Sequence, residues 1–265
     1  MCRPNYLLYG FVAVVLAWLI IPIIIIIPMS FSGARFLSFP PPSWSLRWYD
    51  AFLGSAQWMQ ATRVSLIVSV SSAILATVLG TAAAYALNMT SSRLVRSLQM
   101  VLLLPLIVPI VITAVGVFLV YAQVGLLATM TGLILANVML GLPYVITSVL
   151  VGLRKFDPTQ EMVSRSLGMN RLRTFFIVTL PQIRPSVISG LLFAFISAMD
   201  ETVVALFISG GENQTLTKRM FTALRDEIDP TIAAISSLLT TISIILVIMV
   251  AISARNAERR RGNAV

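Results

Sequence analysis

Long apolar stretches without charge alternate with shorter charged segments along the chain. Three stretches contain no Asp, Glu, Lys or Arg: residues 4–34, 64–92 and 230–254. Each is long enough for one bilayer-spanning helix, which needs about 20 mostly apolar residues. The uncharged stretch Ser97–Leu153 has room for two spans, joined by a tight turn near Gln123–Gly132, where Gln, Gly and Thr gather.

A sixth span is predicted after Arg184, where an apolar stretch is interrupted only by Asp200 and Glu201. The first stretch is too long for the apolar region of a signal peptide, so we expect it to remain as the first span. The pattern predicts an all-α polytopic membrane protein with a single transmembrane domain over residues 1–265. Six transmembrane helices are expected near residues 8–29, 64–88, 98–121, 132–152, 186–206 and 231–253.

Composition agrees with a membrane protein and argues against catalysis. Apolar residues make up 58% of the chain and charged residues 11%, whereas soluble domains carry about 25% charged residues. The chain has no His and one Cys, so a disulfide within the chain is excluded. Metal-dependent hydrolysis and Ser-His-Asp chemistry lose their usual ligand or base. We therefore expect no catalytic residues, no metal site and no enzymatic activity.

The net charge of +9 reflects topology. Lys and Arg are retained on the cytoplasmic side of membrane proteins. If both termini are cytoplasmic, most of the 19 Lys and Arg residues lie on the inner segments, while the outer segments hold most of the 10 acids. This distribution predicts cytoplasmic termini and gives no reason to expect nucleic-acid binding.

The segment between the first two spans is expected outside the membrane. It contains three consecutive prolines followed by an aromatic cluster: Trp44, Trp48, Tyr49 and Trp58. Amphipathic rings of this kind settle at the depth of lipid headgroups. Anchoring to membrane lipid is the first interpretation, and contact with an external partner protein is the alternative.

The predicted inner segment, residues 153–185, carries the clearest local signals. Asp157 followed by Pro158 is typical of a helix start, and Gly168 is placed to end that helix. Asn170 can cap a second helix, which Pro181 and Pro185 are expected to end or kink. A solvated basic loop would explain the charges of this segment but not the ordered sequence of helix starts and stops.

This segment resembles the EAA loop of binding-protein-dependent ABC importer permeases, written Glu-Ala-Ala, three residues, Gly, nine residues, Ile-x-Leu-Pro. Nine residues after Gly168 stands Val178-Thr179-Leu180-Pro181, which fits with Val for Ile. The first half departs from the pattern, because Met162, Val163 and Ser164 occupy the Glu-Ala-Ala positions and Glu161 is one residue early.

The resemblance implies a type I ABC importer permease fold in the bacterial inner (plasma) membrane. It also implies that the loop is a coupling element, which docks on a cytoplasmic ABC ATPase dimer. The residues expected to form this coupling loop are Asp157, Glu161, Met162, Val163, Ser164, Gly168, Leu180 and Pro181. The chain has no Walker A sequence, so we expect no cofactor here and ATP on the partner. A second homologous permease subunit and an extracytoplasmic solute-binding protein are the other implied partners.

Two further stretches narrow the resemblance. SWSLRWYDAFL and SAMDETVVALFISG are similar to segments of the spermidine/putrescine branch of this family. They favour polyamines or related cationic solutes as the substrate. Related permeases for opines, amino-acid-like solutes, iron or thiamine share much of this pattern and remain alternatives.

Asp200 and Glu201 fall in the outer half of the predicted fifth span. Ionised carboxylates inside a membrane are costly and usually face an aqueous path or a partner charge. We therefore expect both acids to line the substrate path. The alternative is that the span ends at Met199, which would put the acids at the interface beside Lys218 or Arg219.

Two other classes of membrane protein are disfavoured. An ion-driven secondary transporter usually contains inverted repeats, and we find no internal repeat. An intramembrane enzyme is disfavoured by the lack of His and by the presence of a single intramembrane acidic cluster.

Overall fold

The computed structural model describes residues 6–90, 92–226 and 229–262. The described chain is almost entirely helical, and its one β-type contact is an isolated antiparallel bridge between Ser32 and Trp44. The helices are α1 Tyr6–Ser30, α2 Arg47–Gly54, α3 Ala56–Asn88, α4 Arg93–Leu103, α5 Ile110–Val124, α6 Met130–Arg154, α7 Thr159–Ser166, α8 Arg171–Thr174, α9 Leu180–Asp200, α10 Val203–Ile208, α11 Leu216–Asp226 and α12 Thr231–Gly262. The all-α fold class is confirmed.

Within the described ranges, five helical segments are long and apolar enough to cross a membrane: Leu8–Ser30, Ala56–Asn88, Met130–Arg154, Arg171–Asp200 and Thr231–Met249. A bent pair, Arg93–Leu106 and Ile110–Val124, makes a sixth crossing if it counts as one span. This number matches the six spans expected from the charge pattern.

The predicted third span, 98–121, is sharply bent, as expected of a span that contains Pro105 and Pro109. The chain bends by 99° between Leu106 and Ile110. Pro105 lies in a short 3₁₀ turn and Pro109 directly precedes α5. Because proline has no backbone N–H and clashes with the preceding turn, two prolines four residues apart prevent one helix from continuing through this region.

The helix that contains most of the predicted fifth span, 186–206, has different bounds. The helical segment begins at Arg171 and ends at Asp200, followed by the separate short helix α10. Pro181 lies in the first turn of α9 and Pro185 within it. Neither ends the helix, so residues 171–185 of the predicted loop are helical.

Contacts divide the chain into two compact units. One contains the described residues up to Met59 together with Arg219–Ile245, and the other contains Gln60–Lys218 and the described residues from Leu246 onward. In the second unit, α3, α6 and α9 pack around a core of small and β-branched side chains: Ala76, Ala84, Val145, Ile146, Val149, Ile183 and Ala194.

Small residues allow the backbones of these three helices to approach closely. A Cβ atom built on Gly152 would lie 2.7 Å from the Cβ of Ser186, and one on Gly190 would lie 3.0 Å from the Cα of Val145. Ser148 Oγ donates a hydrogen bond to the Ser186 carbonyl at 2.7 Å. In lipid, helix association depends on such close packing and on hydrogen bonds between helices.

In the first unit, the segment after α1 folds against α2. Tyr49 Oη lies 2.8 Å from Ser30 Oγ, and Trp48 Nε1 donates to the Ala34 carbonyl at 3.1 Å. Trp58 is buried next to Phe52, and the Arg219 guanidinium lies 4.8 Å from the centroid of its ring. The predicted lipid contact is therefore wrong for Trp58, which packs inside the protein.

The close approach of α6 and α9 gives a test of this packing. We expect Gly152→Ala to lower the free energy of unfolding by about 1–3 kcal/mol, because its methyl group would force Ser186 and α9 to move. Gly116→Ala in α5 is the matched control, since nothing lies within 4 Å of a Cβ at that position. Thermal unfolding in detergent measures both variants, and equal melting temperatures for the two would contradict the packing argument.

Candidate functional site

The helix α7 of the EAA-type loop (residues 153–185) starts and stops at local signals. Asp157 Oδ1 accepts a hydrogen bond from the Thr159 N–H at 2.9 Å. The backbone N–H and the hydroxyl of Thr159 hold the pKa of Asp157 below its ordinary value. Gly168 has a φ of +90°, and the Met169 N–H closes the helix end by donating to the Ser164 carbonyl at 3.2 Å. The predicted stop at Gly168 is confirmed, and α7 starts at Thr159, one residue later than expected.

The second loop helix begins where the sequence indicates and then continues into the membrane segment. Asn170 Oδ1 accepts from the Arg173 N–H at 2.9 Å, as expected for a cap. A π-helical turn, Phe175–Thr179, joins α8 to α9. Such turns take up an extra residue without ending a helix, and this one directly precedes Leu180 and Pro181.

Glu161 connects three parts of the second unit. Its Oε2 accepts from the Tyr85 hydroxyl on α3 at 3.2 Å, and its Oε1 accepts from the Thr179 hydroxyl in the π turn. The Tyr85 ring also packs on Phe175, with 4.6 Å between ring centroids. One carboxylate therefore ties α7 to the end of α3 and to the start of α9.

The residues at the Glu-Ala-Ala positions face different environments. Met162 and Val163 are exposed, at 58% and 54% of their surface. Ser164 is buried and donates to the Gln160 carbonyl at 2.9 Å. Glu161 makes the polar contacts of α7 with α3 and the π turn, and Gln160 accepts a hydrogen bond from Gln182 on α9. The side chain at the motif Glu position, Met162, is exposed.

Exposed apolar side chains cluster in the same loop. Four residues form what we call the loop surface: Met162, Val163, Leu167 and Leu172, the last two exposed at 80% and 72%. Leu180 instead packs against the core of the second unit, and Pro181 is exposed. Exposed apolar side chains this close in sequence on a polar loop are typical of a protein contact.

The structure places the neighbouring acids Asp200 and Glu201 in different environments. Asp200 ends α9 and is exposed. Glu201 is buried, and its carboxylate accepts from the backbone N–H groups of Val204 and Ala205 at 2.6 and 2.9 Å, so it caps α10. Of the two acids, only Asp200 presents its carboxylate at the surface of the unit.

The chain around Glu201 is held by further hydrogen bonds. Thr217 Oγ1 donates to the Glu201 carbonyl at 2.8 Å, and the Ala128 N–H donates to the Ile208 carbonyl at 2.8 Å. The Lys218 ammonium group donates to the Ser209 carbonyl, and burial lowers the pKa of that ammonium group. Glu201 therefore belongs to a fixed structural element that follows α9.

Sequence reasoning missed Tyr85 and Thr179. Tyr85 lies 76 residues from Glu161 in an uncharged span, and no local pattern marks it. Thr179 occupies the undefined position of the Ile-x-Leu-Pro motif. The only sequence signal for Thr179 is that a polar residue stands at this undefined motif position.

Comparison with known families gives one match over most of the chain. Residues 76–262 match the family described as "Binding-protein-dependent transport system inner membrane component". The matched range contains the whole EAA-type loop and both acids.

Individual relatives cover almost the full length. The chain is 30% identical to the spermidine/putrescine transport system permease protein PotC of Haemophilus influenzae, over 92% of this chain and 95% of that protein. It is 32% identical to the putrescine transport system permease protein PotI of Escherichia coli (strain K12), over 89% and 85%. A crystal structure of a bacterial ABC transporter involved in alginate import has a similar fold, with a TM-score of 0.70, 16% identity and 96% coverage of each chain.

The contacts of Glu161 predict how the loop is held. We expect Glu161→Ala to raise amide hydrogen exchange in residues 157–170, because α7 loses both of its side-chain contacts to α3 and the π turn. Met162→Ala is the matched control, since Met162 is exposed. Hydrogen–deuterium exchange with mass spectrometry measures both variants. Unchanged exchange in the Glu161 variant would contradict the role assigned to this carboxylate.

Proposed function

This chain belongs to the family of inner membrane components of binding-protein-dependent transport systems and is the permease subunit of an ABC importer, and we propose that it forms half of a translocation path for polyamines or related cationic solutes. It is an inner-membrane transport component and not an enzyme. The observation that carries the choice of substrate is the similarity to two polyamine permeases over most of their length.

The exposed carboxylate of Asp200 supplies chemistry suited to a cation. It terminates the apolar span Arg171–Asp200, where an ionised carboxylate without a counter-charge is costly, by about 2.5–3.5 kcal/mol at the centre of a span and less toward its end. A protonated amine in the path would offset that cost during passage. We assign Asp200 to the substrate path and Glu201 to the structure that holds the chain next to it.

We infer that the energy is supplied by a separate ATPase dimer. The sequence has no Walker A motif, so ATP binds to that partner. The loop surface is the docking site, because its exposed leucine and methionine side chains suit an apolar cleft. Glu161 then passes movement of α7 to α3 and to α9 through Tyr85 and Thr179.

Two further partners complete the transporter. A solute-binding protein delivers the solute, in keeping with the family description. A second homologous permease subunit closes the other half of the path.

Removal of the Asp200 charge tests the substrate path. We expect Asp200→Asn to reduce ATP-dependent uptake of putrescine and spermidine by about tenfold, the effect of losing one charge-assisted contact. Initial uptake rates in proteoliposomes containing the complete transporter and its binding protein provide the measurement.

Two variants serve as controls for the Asp200 experiment. Asp226→Asn removes an exposed acid on α11 and should leave uptake unchanged. Glu201→Gln should lower the melting temperature, because it weakens the cap of α10. Its effect on the uptake rate should be the smaller of its two effects. Normal uptake by the Asp200 variant would exclude Asp200 from the path. If the transporter takes up a different solute and no polyamine, the proposed substrate class is overturned and the family assignment remains intact.

The loop surface gives a separate test of ATPase docking. We expect Leu167→Asp to weaken binding of the ATPase subunit by about tenfold or more, because an apolar anchor is replaced by a charge. Thr159→Asp is the control, since it adds the same charge in the first turn of α7, where the helix dipole favours it. Titration of the purified permease with its ATPase measures both affinities, and equal affinities would exclude the loop surface as the contact.

A further inference from the structure

A polar cavity lies where α3 and α6 end, beside the first turns of α4. Its volume is about 350 Å³, within the range of roughly 300–1,000 Å³ that is typical of small-ligand sites. Three separate parts of the second unit contribute its polar lining: Asn88, Thr90, Ser92, Arg96, Gln99 and Arg154. Neither the Glu161 contacts nor the Asp200 path uses these residues.

The cavity is cationic. Arg96 and Arg154 supply two positive charges, and the described residues that line the cavity include no carboxylate. A guanidinium group presents a planar set of donors that matches the oxygens of a phosphate group. The neighbouring hydroxyl and amide groups offer further donors. This combination suits a phosphate-bearing anion.

Helix α4 carries an exposed apolar surface on the side opposite the cavity. Val95, Leu102 and Leu103 pack against the core of the second unit. Leu94, Leu98 and Val101, spaced to lie on one side of the helix, are exposed at 80%, 51% and 57%. A helix with arginines on one face and exposed aliphatic side chains on another is typical of the membrane interface.

The position of the cavity also favours a membrane surface. Arg154 is the last residue of α6 and lies at the start of the EAA-type loop, so the cavity lies at the same end of the unit as that loop. This end carries the Lys- and Arg-rich segments that the charge pattern predicts to be cytoplasmic. The inner leaflet is rich in anionic lipid, which basic pockets between spans can bind.

We propose that this cavity binds the phosphate headgroup of an anionic phospholipid, with Arg96 and Arg154 on the phosphate. Leu94, Leu98 and Val101 lie on the side of α4 that faces away from the cavity. These exposed aliphatic side chains favour a position of α4 in the membrane interface, which brings the cavity to the depth of the lipid headgroups. The site is distinct from the docking and substrate residues, so it does not depend on which solute is transported.

Lipid binding by the detergent-solubilised transporter tests the proposal. Native mass spectrometry measures titration with phosphatidylglycerol or phosphatidylcholine in about 1 M ammonium acetate, where a Debye length of about 3 Å removes diffuse attraction. We expect the wild type to prefer phosphatidylglycerol. Arg96→Gln combined with Arg154→Gln should weaken phosphatidylglycerol binding by about tenfold or more.

A matched double variant separates the cavity from general surface charge. Arg93→Gln with Lys155→Gln also removes two positive charges, one from α4 and one next to Arg154, and neither residue lines the cavity. We expect it to keep the wild-type lipid affinity. An equal loss of phosphatidylglycerol affinity in both double variants would overturn the proposed site. Equal melting temperatures of the two double variants ensure that a loss of lipid is not a loss of folding.

Other outcomes identify a different occupant and overturn the lipid assignment. Displacement of phosphatidylglycerol by an equal concentration of inorganic phosphate would identify a free-anion site. Wild-type lipid affinity together with weaker ATPase binding in the Arg96, Arg154 double variant would make the cavity a subunit contact. Partial recovery of lipid binding by Arg96→Lys with Arg154→Lys would support the role of charge, since Lys keeps the charge without the planar donor fork.

Discussion

The close approach of α6 to α9 is the contact on which the rest of the second unit depends. Gly152 faces Ser186, and Gly190 faces the backbone of Val145, with no room for a side chain at either glycine. Because apolar side chains gain little from one another in lipid, this direct packing and the Ser148 hydrogen bond hold the two spans together. The position of α9 in turn fixes the π turn at one end and Asp200 at the other.

The EAA-type loop is joined to that packed unit through few polar groups. Glu161 contacts α3 through Tyr85 and the start of α9 through Thr179, while the loop surface remains exposed. A force applied to the exposed side of α7 can therefore reach α3 and α9 through the Glu161 carboxylate, and Gln160 adds a second contact to α9 through Gln182. The continuous helix from Arg171 to Asp200 then connects the loop with the opposite end of the span without an intervening flexible segment.

The two neighbouring acids have different roles because the helix ends between them. Glu201 uses both carboxylate oxygens to satisfy backbone N–H groups of α10, and an unpaired N–H buried in an apolar region would be costly. That use makes Glu201 a structural residue. Asp200, one position earlier, remains exposed and is the acid that we propose for the substrate path.

The sequence alone determined the apolar segments, the stop of α7 at Gly168 and the cap of α8, because these features depend on hydropathy and on contacts between residues a few positions apart. Tertiary structure decided the partners of Glu161, the burial of Glu201 and the cavity at Arg96. Those depend on which distant helices meet, and Tyr85 is 76 residues away from Glu161. No local pattern encodes such a distance, because the packing of α3, α6 and α9 sets it.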